Sequence, residues 1–253
     1  MDLPKNQFKA GLQASTTQIG LWSTLRSNLI AEIIGGSAFD WVVLDTEHSP
    51  NELPDVIAQL QALGDGVSTI VRPAWNDAVL IKRILDAGAQ SLVIPFVQSA
   101  EEAAAAVAAT RYPPQGIRGA MGSGRAAGYG RNKSYLQHAA DEIAVVVQVE
   151  TQKGLDNIKE IAAVDGVDAV FIGPSDLSTS MGYLGNPGHE VVQEAIKHAV
   201  DTLTAMNKPA GILAFNYDDA SRYINWGYKF VGVGSDVSIL VRGLDGLVAQ
   251  YKD

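Results

Sequence analysis

The sequence predicts one α/β domain folded as a (β/α)8 (TIM) barrel over residues 1–253. Three observations carry this prediction. Eight short apolar runs rich in Val, Ile, Leu and Ala mostly lack strict alternation, which marks strands buried on both faces of a parallel sheet. Helical patterns with capping residues lie between these runs, so strand and helix alternate along the chain. No Gly-x-Gly-x-x-Gly turn follows the first run, which counts against a doubly wound open sheet.

The first run, 18–23, ends in Leu21-Trp22-Ser23. The second, 41–45, leads into Asp45-Thr46-Glu47-His48, and a helix is predicted over 51–63, stopped by Gly64. The third, 67–73, carries Arg72 before a proline; Asn76 and Asp77 cap a helix reaching Ala87, with Gly88 as its stop. The fourth is 91–96. Ser99 with Glu101 and Glu102 then opens an Ala-rich helix, the acids favouring the positive end of its dipole. Residues 111–131 form one long irregular stretch rich in Gly, Pro and Arg, and loops of that length in a compact domain tend to be functional. The fifth run, 144–150, ends in Gln148-Val149-Glu150 and is followed by a helix over 151–164. The sixth, 169–174, leads to Ser175-Asp176, and the next helix runs from Pro187 or Gly188 to Met206. The seventh, 209–215, ends in Phe215, with a helix over 218–226 stopped by Gly227. The eighth, 229–235, is followed by a closing helix over 236–251.

Composition narrows the function. The 253 residues are 47% hydrophobic, enough for a large core, and carry a formal net charge of −9 with no basic stripe, so nucleic acid is not an expected partner. The chain has no cysteine, which excludes disulfides, thiolate metal sites and cysteine nucleophiles. The first residues show no signal-peptide pattern and no run is long enough to span a bilayer, so a cytoplasmic protein with no membrane association is expected.

Barrel active sites gather where the carboxyl ends of the strands meet. Glu150 and Asp176 close two consecutive strands, and two carboxylates with water suit a hard divalent ion such as Mg²⁺ or Mn²⁺. The alternative is structural: a helix-start acid and an N-cap. Gln148, two residues before Glu150, shares its side of the strand and would bond the metal shell or the substrate, or fill the barrel. His48 is the one histidine at a strand end, with Asp45 three residues earlier to orient its ring and Glu47 as a competing partner; a solvated loop histidine is the plain reading. Arg72 offers a fork of donors to a carboxylate or a developing enolate, or else a salt bridge to Glu47 or Glu150. Gly173-Pro174-Ser175 lets backbone N–H groups approach an anion. Trp22 and Phe215 are candidate apolar walls or core residues. None of the ten lysines lies at a strand's carboxyl end, which argues against Schiff-base chemistry and for a metal.

Taken together, several segments resemble the HpcH/HpaI aldolase family, the metal-dependent class II pyruvate aldolases of the 4-hydroxy-2-oxoheptanedioate aldolase kind in the phosphoenolpyruvate/pyruvate superfamily. They are Gly20-Leu-Trp22, Phe39-Asp-Trp-Val-Val-Leu-Asp-Thr-Glu-His48, Val71-Arg-Pro-Ala-Trp-Asn-Asp77, Thr110-Arg-Tyr-Pro-Pro-Gln-Gly-Ile-Arg-Gly119, Gln148-Val-Glu-Thr151, Val170-Phe-Ile-Gly-Pro-Ser-Asp-Leu-Ser178 and Met181-Gly-Tyr183. The resemblance covers nearly the whole chain. It implies that Glu150 and Asp176 hold a divalent metal, Mg²⁺ or Mn²⁺ with Co²⁺ as a further candidate. It makes Arg72 the enolate stabiliser and His48, paired with Asp45, the acid/base. Gln148 lines the site, and backbone at Gly173 and Ser175 holds the carboxylate of pyruvate. It also implies a homohexamer, a dimer of trimers, with the C-terminal helix exchanged between subunits and Asp86 reaching a neighbour's site. The family's Asp-Gly-Glu-His reads Asp45-Thr46-Glu47-His48 here, a departure at Thr46. The implied reaction is reversible aldol cleavage of a 4-hydroxy-2-oxo acid to pyruvate and an aldehyde. Related readings of the same site are a 2-keto-3-deoxy sugar acid aldolase and an oxaloacetate decarboxylase. A non-catalytic small-molecule binding protein explains the combination of acids, base and arginine poorly.

Overall fold

The structure, a computed structural model, describes residues 3–252. Eight parallel strands close into a barrel in sequence order: β1 (Gln18–Ser23), β2 (Trp41–Asp45), β3 (Ser68–Arg72), β4 (Ser91–Ile94), β5 (Ala144–Val149), β6 (Ala169–Ile172), β7 (Ala210–Leu213) and β8 (Phe230–Ser235). The helices are α1 (Gln7–Gln13), α2 (Asn28–Gly35), α3 (Leu53–Leu63), α4 (Ala78–Asp86), α5 (Ala100–Thr110), α6 (Tyr135–His138), α7 (Gln152–Asp156), α8 (Ile158–Ala163), α9 (Pro174–Ser180), α10 (Glu190–Ala205), α11 (Tyr217–Trp226) and α12 (Asp236–Val248). The predicted (β/α)8 barrel is the fold observed.

Side chains alternate across each strand, so two cores form. Val42, Leu44, Val71, Ile94, Val147 and Ile172 face outward onto the helices. Trp41, Val43, Ile70, Val93, Val146, Phe171 and Phe230 fill the barrel interior. Space for these large rings comes from opposing glycines: a Cβ on Gly20 would lie 2.0 Å from the Trp41 ring, and one on Gly211 would lie 2.1 Å from Phe230. The amino-terminal end of the barrel is plugged by α1, whose Phe8 and Leu12 join the inner core. The Asn6 side chain caps α1 and bonds Gln90 and Glu142 backbone oxygens and the Ser91 hydroxyl. This plug closes one end and leaves the carboxyl end as the mouth.

Several boundaries differ from expectation for local reasons. Strands predicted to include Pro73, Pro95 and Pro174 stop before them, since proline has no N–H for the ladder. Pro174 instead occupies the first position of α9, where a missing N–H is harmless. The helix predicted over 151–164 breaks at Asn157 into α7 and α8. The long helix begins at Glu190 with His189 as its N-cap, later than Pro187 or Gly188. The last helix ends at Val248 rather than Tyr251 and leaves Leu240, Val241, Leu244 and Leu247 exposed. Among the described residues, no helix is long and apolar enough to cross a membrane.

Candidate active site

Register alone brings the first cluster together. Asp45 on β2 pairs directly with Arg72 on β3, and both point into the barrel mouth. Arg72 donates from Nε to Asp45 Oδ1 at 2.8 Å and from Nη2 to Oδ2 at 2.6 Å, a bidentate fork. Its remaining Nη1 lies 2.9 Å from Glu47 Oε2. The guanidinium sits over the Trp22 ring at 5.1 Å, and Trp22 Nε1 donates to Asp45 at 3.4 Å. Burial pushes the Asp45 carboxyl up, but the bonds and charge of Arg72, with backbone N–H groups of Glu47 and His48, outweigh it and hold the carboxyl below its ordinary range. Thr46 braces the same strand pair: its N–H and hydroxyl both donate to the Arg72 carbonyl, at 3.0 and 2.7 Å.

The second cluster is acidic. Glu150 follows β5, is 3% exposed, and accepts from the Phe96 N–H at 2.8 Å and from the Gln148 side-chain amide. Burial, then the neighbouring charges of Glu47 and Asp176, push the Glu150 carboxyl up to about 7 against the bonds from Gln148 and Phe96. Glu47 is also pushed up to about 7, by burial first, with Arg72 opposing and Asp45 and Asp176 adding to the rise. Three carboxylates thus feel one another at the mouth, a charge arrangement a cation relieves. Asp176 is exposed on the first turn of α9 and is not an N-cap; Gly173 holds that position. Gly173 is pressed against the acids: a Cβ there would lie 2.7 Å from Glu150 Oε2 and 3.2 Å from Gln148 Nε2. Gln148 Oε1 is buried without a hydrogen-bond partner, and Glu47 Oε2 is held only by its ion pair with Arg72.

Among the described residues, no three His, Cys, Asp or Glu side chains form a ready-made metal cage. The fit is nonetheless good for a hard cation carried by two protein carboxylates. Donors are all oxygen, two acids have carboxyls raised first by burial and then by neighbouring negative charge, and the buried Gln148 oxygen nearby lacks a partner.

The expected pairing of Asp45 with the His48 ring is not what forms. Both Asp45 oxygens are engaged by Arg72, and His48 reaches Asp45 only through its backbone N–H, at 3.5 Å. The His48 side chain is 64% exposed, and its Nε2 lies 3.9 Å from Glu47 Oε2. Among the described residues, Glu47 is therefore the acid beside the ring. The physical reason is strand register, which places an arginine directly opposite Asp45. Glu47 lies in the bend just past β2, where strand alternation no longer fixes side-chain direction, so the sequence offers it only as a competing partner for His48.

Other candidates separate clearly. Trp22 is 5% exposed and packs on Phe171 at 5.3 Å beneath Arg72, so it supports the guanidinium rather than forming an open wall. Phe215 is half exposed just beyond β7. Asp86 lies in the last turn of α4, which returns to the amino-terminal end of the barrel, and accepts from the buried Arg118 at 2.8 Å. It cannot line this chain's own mouth. Asp236, also at a strand end, is occupied by Ser23, Thr24, Leu25 and Val237 and is structural. A cavity of about 860 Å³ opens at the amino-terminal end beside Val67, Gln90 and Ile143; none of the mouth carboxylates lines it.

Comparisons with known proteins identify the family. The HpcH/HpaI aldolase/citrate lyase family model matches residues 18–242. The chain is 49% identical over 252 residues to a pyruvate aldolase of Rhizobium etli, covering 99% of each. It is 49% identical over 250 residues to a 4-hydroxy-2-oxo-heptane-1,7-dioate aldolase of Salmonella arizonae, covering 98% of this chain and 95% of the relative. A crystal structure of a family protein from Burkholderia cenocepacia superposes with a TM-score of 0.95 at 36% identity, covering 98% of this chain and 100% of that one. The chain is an enzyme of the HpcH/HpaI aldolase/citrate lyase family.

Proposed function

We propose that the enzyme catalyses reversible aldol cleavage of 4-hydroxy-2-oxo acids to pyruvate and an aldehyde with a divalent metal, Mg²⁺ or Mn²⁺, Co²⁺ being a further candidate. The observation that carries this reading is the meeting, at one barrel mouth, of the mutually repelling acids Glu47, Glu150 and Asp176 with the Arg72 fork. The names of the relatives support the reaction class.

Glu150 and Asp176 are the residues that would hold the metal, with the free Gln148 oxygen beside them. When bound, the cation supplies Lewis-acid polarisation of the 2-oxo group. Backbone groups at Gly173 and Ser175, at the start of α9, take the substrate carboxylate, Pro174 having no N–H to offer. His48 removes the proton from the C4 hydroxyl as the C3–C4 bond breaks. The bond electrons pass onto the C2 oxygen as the aldehyde leaves. Arg72, already held in orientation by Asp45, stabilises that developing negative charge. The proton taken up by His48 then returns, directly or through a water, to C3 and gives pyruvate. Phe215, exposed beyond β7, is placed to meet the aldehyde portion.

Assembly follows the same family expectation. The exposed apolar residues of α12 suit packing against another subunit, and Asp86 at the far end of α4 can serve a site only on a neighbouring copy. A homohexamer, a dimer of trimers with exchanged α12, satisfies both.

The test is pyruvate release from a panel of 4-hydroxy-2-oxo acids, with and without EDTA and with Mg²⁺, Mn²⁺ or Co²⁺ restored. Turnover lost in EDTA and regained with metal is the expected result. Full turnover in the metal-free protein would overturn the mechanism.

A further inference from the structure

Phe96 has an unusual backbone at a functional address. It lies just past β4, with φ +57, the left-handed region that a bulky side chain avoids. Its neighbours explain how the chain is led there. Pro95 ends the β4 ladder because it has no N–H to donate. Val97 then resumes pairing, its N–H donating to the Gln148 carbonyl at 3.0 Å. Phe96 is the residue flipped out between them. Its N–H is turned away from the ladder and donates to Glu150 Oε1 at 2.8 Å.

The flip also ejects the Phe96 ring, which stacks on Trp75 from the loop after β3, with centroids 5.4 Å apart and planes 30° from parallel. Both rings remain partly exposed. Burial does not account for placing a phenylalanine in this conformation. A hydrogen bond to a buried carboxylate does, and the stack supplies contact that offsets the strain.

We propose that Phe96 is a positioning residue for metal binding: its left-handed backbone, latched by the Trp75 stack, aims an N–H at Glu150 and fixes that carboxylate for the cation. This rests on the reading of Glu150 as a metal ligand. The hydrogen bond selects one orientation of Glu150, and outer partners of metal ligands of this kind are worth about 10–100-fold in metal affinity.

The prediction separates backbone from side chain. Phe96→Ala keeps the strained requirement and loses the stack that holds it, so the loop relaxes and Mn²⁺ affinity falls about 10-fold or more. Phe96→Gly also loses the stack, yet glycine adopts positive φ freely, so its Mn²⁺ affinity stays within about threefold of wild type. Phe96→Asn, which tolerates the left-handed region, falls between the two. Trp75→Ala weakens Mn²⁺ binding in the Phe96 protein and has no further effect in Phe96→Gly, a coupling read from the double-mutant cycle.

The measurement is Mn²⁺ titration of the full chain by calorimetry, with circular dichroism confirming an intact barrel in each variant. Glycine binding well where alanine binds poorly is the expected result. Equal affinities for wild type and Phe96→Ala, or equal losses in Phe96→Ala and Phe96→Gly, would overturn the role of Phe96. The wild-type titration distinguishes this from the larger reading: no Mn²⁺ binding by the wild-type protein removes both, whereas normal wild-type binding with an unaffected Phe96→Ala removes only the latch.

Discussion

Gly173→Ala tests whether the acid pair depends on space made by the absence of one methyl group. Gly173 has φ −92 and ψ 95, which alanine adopts without backbone penalty, so any effect is one of contact. The added Cβ would lie 2.8 Å from Glu150 Cβ and 2.7 Å from Glu150 Oε2. Carbon–carbon contact is comfortable at about 3.5–4.0 Å, so the overlap with Glu150 Cβ is roughly 1 Å. Glu150 Cβ is tied to its backbone and cannot swing clear. The carboxylate must therefore move by a comparable distance, breaking the 2.8 Å bond from Phe96 N–H. Such overpacking costs about 1–3 kcal/mol in stability. Misplacing the carboxylate lowers metal affinity by about 10–100-fold. A 1 Å displacement of a reacting group accounts for a further loss in kcat of roughly 10²-fold. Calorimetric titration with Mn²⁺, thermal melting without metal and pyruvate release together measure these terms. A Gly173→Ala protein that binds Mn²⁺ and turns over like wild type would refute the reasoning, because Glu150 would then tolerate a displacement that a metal ligand cannot.

Three further expectations follow from the same geometry. Arg72→Lys removes the bidentate fork, so kcat should fall more than KM rises, and wild-type kcat with weakened binding alone would exclude enolate stabilisation. Asp45→Asn and His48→Ala should part company: the first disrupts the buried pair with Arg72 and destabilises by about 3–5 kcal/mol, whereas the exposed His48 changes stability by only about ±0.5 kcal/mol. His48→Ala should still slow turnover by roughly 10²–10⁴-fold, and unchanged steady-state kinetics would remove it from proton transfer. The third concerns pH. Glu47 and Glu150 are raised from 4.5 to about 7 in the folded protein, so the fold binds more protons than the unfolded chain between those values. Their contribution to metal-free stability is full below about 4.5 and is lost as pH rises through about 7. Urea midpoints in EDTA should carry this falling component, flattened in Glu150→Gln, and Mn²⁺ binding below pH 7 should release protons in calorimetry. Metal binding without proton release at pH 6 would contradict the raised carboxyls.

The sequence by itself determined the barrel, because strands buried on both faces must be apolar throughout and helices between them must carry caps. Asp77 and Ser99 bond the first-turn N–H groups that their positions predicted, and Gly227 ends its helix at positive φ. Spacing of two residues along a strand was likewise enough to place Gln148 beside Glu150. Tertiary structure decided the partner of Asp45. The strand register sets Arg72 opposite Asp45, consumes both carboxylate oxygens and leaves Glu47 nearest His48, and no spacing within β2 reveals what β3 presents across the sheet. The same holds for Trp22, which the sequence leaves open as a wall or a core residue and which packs in the inner core beneath a guanidinium supplied by another strand. Phe96 is the extreme case, since a left-handed backbone carries no residue signature when a phenylalanine occupies it. Local pattern dictates elements because it acts through near neighbours along the chain. The electrostatics of the mouth arise between side chains tens of residues apart, and only closure of the barrel brings them within reach of one another.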